Sequence, residues 1–174
     1  MKTYTIILTM VLIPLLGFAS CNTKAETVPV VKITPDSTIK KNIGDTVTDV
    51  LFSPKTVTLY QSKNRKKKND KEVEIANGFV RDTLIRVLKP EQTAILQFLL
   101  ISDSQNYKID SVKIKSPYVP LYEFVFVKKK ETVQILVSFS DNYWEIKRNN
   151  KTVCKYNYVC KDQLGRFIDL LYQP

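Results

Sequence analysis

The stretch Tyr122–Tyr156, YEFVFVKKKETVQILVSFSDNYWEIKRNNKTVCKY, decides the fold. YEFVFV, TVQILVSFS, YWEIKR and KTVCKY are rich in β-branched and aromatic residues, and short polar connections, KKKE, SDN and Asn149-Asn150, separate them. Such runs between turn signals are consecutive strands. Asparagine tolerates positive φ, so Asn149-Asn150 suits a two-residue hairpin turn, which sets Ile146 opposite Val153 and Glu145 opposite Cys154. The stretch therefore predicts an antiparallel meander.

Working outward, DQLGRFIDLLY places Leu164, Phe167, Ile168 and Leu171 at i, i+3, i+4 and i+7, which predicts a closing helix laid on the sheet. Upstream, Ser116-Pro117-Tyr118-Val119-Pro120 interrupts regular structure, because two prolines this close forbid a central strand or a helix interior. Lys55 to Gln61, KTVTLYQ, and Glu72 to Ala76, EVEIA, alternate as half-buried strands do, around the polar loop SKNRKKKND. In GFVRDTLIRVL, Phe79, Val80, Leu84, Val87 and Leu88 gather on one side of a helix, and PEQTAILQFLL carries a second stripe of Ile95, Phe98 and Leu99 behind Pro90. The expected architecture is α+β: an antiparallel β-sheet meander with a helical hairpin and a C-terminal helix packed on one face. No internal repeat is present. Residues 116–174, with their proline-containing entry, paired apolar strands and last helix, resemble the closing part of small exported bacterial proteins of uncharacterised role. That resemblance implies a fold and no activity.

The chain of 174 residues, 44% hydrophobic and 25% charged, has the composition of one compact domain with appendages. Its start, MKTYTIILTMVLIPLLGFASC, sets Lys2 ahead of a 14-residue apolar run from Ile6 to Ala19. A membrane-spanning helix needs about 20 such residues, so the run reads as an export signal. Gly17-Phe18-Ala19 would serve a conventional signal peptidase and release a soluble chain at Ser20. The competing reading rests on Cys21. Phe18-Ala19-Ser20-Cys21 resembles the lipobox of bacterial lipoproteins of the Bacteroidota type, with Phe18 in place of the usual leucine. The resemblance implies a cysteine that is lipid-modified on sulfur and becomes the new N-terminus. It also implies a protein held in the cell envelope, at the outer membrane, by palmitate-like chains. The expected organisation is then a signal peptide over 1–20, a flexible tether over 21–45 from lipidated Cys21, and a single α+β domain over 46–174.

Three cysteines, Cys21, Cys154 and Cys160, leave one thiol over in an exported protein, and modifying Cys21 accounts for the odd one. Cys154 and Cys160 are then a candidate disulfide across a short loop, with two buried thiols that never meet as the alternative. The absence of histidine removes imidazole from catalysis and metal binding alike. Ser37-Thr38-Ile39-Lys40 and Ser140-Asp141-Asn142 match two of the three signatures of penicillin-binding enzymes, but the third, K-T-G, is missing. We expect no catalytic residues, no metal site, no cofactor and no enzymatic activity. A histidine-free envelope enzyme is the alternative.

Without residues 1–20 the chain keeps 26 basic and 17 acidic side chains, a formal net of +9. The excess clusters at Lys63, Arg65, Lys66, Lys67, Lys68 and Lys71, and again at Lys128, Lys129 and Lys130. Export argues against nucleic acid as a partner, and no aromatics interleave with the lysines as a single-strand binder requires. The 63–71 loop reads either as a solvated hairpin tip, which lysine keeps from pairing edgewise, or as a site for anionic lipid or acidic polysaccharide. The partners expected are the membrane, through the lipid anchor, and an envelope protein that a non-enzymatic binding or assembly module would engage.

Overall fold

The structure is a computed structural model, and it describes residues 32–65, 73–76, 78–107, 118–158 and 161–173. Two short helices open it, α1 (Ser37–Ile43) and α2 (Asp45–Phe52). Asp36 starts α1 because its carboxylate accepts the Thr38 N–H at 2.7 Å, satisfying a donor that a helix start leaves unpaired. Gly44 ends it at φ +80°, returning its own N–H to the Lys40 carbonyl. Ile39 and Ile43 of α1 are buried, as are Val47, Val50 and Leu51 of α2. The expected tether over 21–45 is therefore corrected at its end: from about Ser37 the chain belongs to the domain. Two isoleucines four apart make one apolar face, and the polar residues around them hide it in the sequence.

Among the described residues seven strands follow in one antiparallel sheet: β1 (Thr56–Asn64), β2 (Glu74–Ala76), β3 (Phe79–Val87), β4 (Tyr122–Lys128), β5 (Glu131–Ser138), β6 (Tyr143–Arg148) and β7 (Lys151–Asn157). Their order across the sheet is β2-β3-β1-β4-β5-β6-β7. Between β3 and β4 lie α3 (Pro90–Leu96), a π-helical turn (Gln97–Ile101) and a 3-10 turn (Ser104–Tyr107). The chain closes on α4 (Lys161–Leu171). The α+β class and the antiparallel meander of β4 to β7 stand as expected, as does the closing helix.

The helical hairpin does not form as expected: Phe79–Val87 is a strand. The physical reason is a bulge. Thr58 pairs with Val87, Leu59 with Arg86 and Tyr60 with Leu84, so Ile85 is an extra residue. It puts Leu84 and Val87 on one face at a spacing of three, which mimics a helical period. A bulge also corrects the last hairpin. Asn149 and Asn150 do form its turn, at φ +47° and +65°, but Ile146 pairs with Cys154 and Glu145 with Lys155. Val153 is the extra residue, turned out to 41% exposure, and Cys154 packs toward the core in its place.

Strand alternation gives the sheet one apolar face. Val57 and Leu59, Phe124 and Phe126, Val133 to Val137 at every second position, and Trp144 and Ile146 lie beneath the helices. Leu96, Leu100 and Ile101 cover them from one side, and Leu164, Phe167, Ile168 and Leu171 from another. Each such side chain contributes about 1.5–3 kcal/mol on burial. Trp144 is fixed at the centre: its Nε1–H donates to the Asn106 carbonyl at 2.7 Å, and the Tyr107 ring meets it edge-on at 5.1 Å between centroids.

Candidate functional site: a charged network inside the curled sheet

The same alternation sends a second set of side chains to the opposite face. Register places Glu145, Leu136, Glu123 and Tyr60 in one row across four strands, and Lys147, Gln134, Val125 and Thr58 in the next. Lys147 on β6 donates its Nζ–H to the Ile75 carbonyl on β2. Five strand spacings separate these strands, about 24 Å in a flat sheet, far beyond the reach of a lysine. The sheet is therefore curled toward this face into a half-barrel, and Ile75, Val80, Val125 and Leu136 are buried inside it.

Two carboxylates lie within the curl. Glu123 is fully buried and receives a two-pronged bond from Arg81, Nε to Oε2 at 2.6 Å and Nη2 to Oε1 at 2.7 Å. Gln134 donates to the same Oε1 at 2.8 Å. The Arg81 guanidinium also stacks 4.4 Å over the Tyr60 ring. The Glu123 hydrogen bonds raise the Arg81 pKa further, against the opposing effect of burial. Among the described residues Gln134 Oε1 is buried with no hydrogen-bond partner.

Glu145, almost fully buried, accepts from the Thr152 hydroxyl at 2.5 Å and faces Lys155 Nζ at 3.4 Å. Lys155 Nζ lies 4.7 Å from the Tyr118 ring, and the Tyr118 hydroxyl donates to the Leu136 carbonyl at 3.2 Å. Burial, then Glu145, pushes that hydroxyl well above the usual tyrosine range. Both carboxylates are thus engaged by cations, and among the described residues Lys147 has no carboxylate partner. Chemically the arrangement holds strands together, because each acid meets a cationic side chain from another strand.

The residues singled out in the sequence fall elsewhere. Cys21 lies outside the described residues, as do Lys66, Lys67, Lys68 and Lys71 of the basic loop. Its two described members act on neighbouring strands: Lys63 pairs with Asp82 at 2.9 Å, and Arg65 with Glu74 at 3.0 Å. Cys154 is a free, half-buried thiol, pushed up to about 11 by burial, and Cys160 lies outside the described residues. Ser37 donates to Asp36, and Lys40 pairs with Asp45 at 3.0 Å, so Ser37 and Lys40 are each directed to a carboxylate. Ser140-Asp141-Asn142 is a turn, with Asn142 at φ +56°. Among the described residues no cluster of three acids or cysteines is placed to hold a metal, and no helix is long and apolar enough to cross a membrane.

A second feature stands at one end of the sheet. An open cleft of about 450 Å³ lies between the end of α2, the start of β1, the end of β3 and α3. Lys32 and Lys55 line it with the hydroxyls of Ser53 and Thr93, and the buried Gln97 donates to the Leu51 carbonyl at 2.8 Å on its inner side.

Sequence reasoning passed over Glu123, Gln134, Glu145, Arg81 and Lys147. The signal was present: a carboxylate at an alternate position inside each of the apolar strands YEFVFV and YWEIKR. No family model, no curated protein and no solved structure matches the chain.

Proposed function

We propose that this protein is a lipid-anchored, non-enzymatic binding module of the bacterial cell envelope, tied to the outer membrane through Cys21. One observation carries the reading: Phe18-Ala19-Ser20-Cys21 closes an apolar run too short to span a bilayer and precedes a polar segment. The geometry of the domain supports the second half. Its buried carboxylates, Glu123 and Glu145, are tied across strands by Arg81 and Lys155, which suits a scaffold. Mass spectrometry of the N-terminal peptide from the membrane fraction tests the anchor. The expected result is a peptide that begins at a lipid-modified Cys21, with Cys21→Ser releasing the protein from the membrane pellet; an unmodified N-terminus at Ser20 rejects the reading.

A further inference from the structure

We propose that the end of the domain formed by α3 and the start of β1 is a second membrane contact, a face that lies on an anionic bilayer surface. The inference rests on the lipid-anchor reading for its geometry. Among the described residues Phe98, 66% exposed, is the most exposed large apolar side chain, and Ile95, 47% exposed, stands one turn before it. They directly follow Gln97 and Ala94, which line the cleft with Lys32 and Lys55. Two apolar side chains beside a basic cleft are the elements of an interfacial contact: the rings and methyls enter the headgroup boundary and the lysines meet phosphates.

What selects a bilayer as the occupant is where the chain enters. Cys21 lies 11 residues before Lys32, and that length cannot exceed about 40 Å even when fully extended. A domain of this size is itself roughly 35–40 Å across. A lipid on Cys21 therefore keeps Lys32, and the cleft it lines, within about one domain diameter of the bilayer. Charge agrees. Lys32, Lys55 and Lys89 are exposed, and none of them forms an ion pair with a described carboxylate. Glu91, one turn before Ile95, is the acidic group on that side of the helix, and three lysines outweigh it.

The test uses the full chain purified from membranes and reconstituted into phosphatidylglycerol and phosphatidylethanolamine vesicles with brominated acyl chains. Trp144 is the sole native tryptophan and is buried, so Phe98→Trp adds an indole whose quenching reports contact with lipid. The expected result is at least twofold quenching of the added indole, lost in zwitterionic vesicles and in Lys32→Gln/Lys55→Gln/Lys89→Gln. Each lysine removed should weaken vesicle affinity about fivefold, whereas Glu91→Gln should strengthen it. Ile95→Trp gives the same reading from a neighbouring exposed position. Fluorescence that bromolipid leaves unchanged overturns the proposal, as does shielding of the indole by concentration-dependent self-association, which would assign the face to a second copy. The N-terminal peptide of the same sample separates the two readings. A lipid-modified Cys21 with an unquenched indole rejects the docking face alone, and an unmodified N-terminus with a quenched indole rejects the anchor alone.

Discussion

Lys147 and Ile75 belong to strands five places apart in the sheet, yet the lysine ammonium donates to the Ile75 carbonyl. This bond closes the half-barrel across its open side. Lys147→Met keeps most of the apolar stem and removes the donor, so it should cost about 2 kcal/mol, the range for a bond with a charged partner. The loss should read as a lower urea midpoint at unchanged slope. Amide exchange at residues 73–76 should accelerate more than exchange in β5. Unaltered exchange there would mean that other contacts hold β2 in place.

Glu123 is the centre of the interior network, and removing it strands Arg81, whose side chain is 23% exposed. Breaking a buried pair by one partner costs about 3–5 kcal/mol, and the partial exposure of Arg81 moves the expectation for Glu123→Ala toward the lower end. The double variant Arg81→Met/Glu123→Leu should recover more than half of that, because it leaves no uncompensated charge. Denaturant titration of both variants decides. A double variant no better than the single one would show that the network specifies the packing around it as well as its own charges.

The two halves of the chain were unequally legible for a physical reason. In β4 to β7 local signals agree: apolar alternation, short polar links and two asparagines able to take positive φ all favour the same meander. In β3 they conflict, since the extra residue at Ile85 gives Leu84 and Val87 a helical spacing, and only the need of β1 for a partner settles the matter. The site lay further out of reach. Alternation puts Glu123 and Glu145 on the face opposite Phe124 and Trp144, and it says nothing about whether that face is covered. The curl that buries them depends on β2 meeting β6, a contact between residues 72 positions apart.

Cys154 gives the fold a pH dependence. Burial pushes its thiol up from 9.0 to about 11, so above pH 9 the unfolded chain releases a proton that the folded chain keeps. Stability is then fully present below about pH 9 and falls as pH rises toward about 11. Tyr107 and Tyr156, whose hydroxyls burial also raises, add to the same decline. The contribution of Cys154 is isolated by comparison with Cys154→Ala: the difference in urea midpoint between the two proteins should change between pH 9 and 11 and stay flat below. Native thiol labelling at pH 8 should leave the Cys154 peptide unmodified, and labelling in urea without reductant should modify it. A peptide that labels only after reduction would mean a bridge to Cys160.

The turn at Asn149 and Asn150 makes the β6–β7 register, and through it the placing of Cys154, depend on two left-handed residues. Asparagine reaches this region at modest cost, alanine at about 1 kcal/mol more, and glycine at none. Asn150→Gly should therefore leave stability unchanged or raise it slightly, whereas Asn150→Ala should lower it by about 1 kcal/mol. Asn149 also donates its backbone N–H to the Thr132 carbonyl at 3.1 Å and accepts the Thr132 N–H on its side chain at 3.4 Å. Asn149→Gly keeps the first contact and loses the second, so it should fall between the two Asn150 variants. Thermal melts of the three proteins rank them. An Asn150→Ala variant as stable as the parent, with Cys154 newly reactive at pH 8, would mean that the hairpin had slipped to the simpler pairing of Ile146 with Val153.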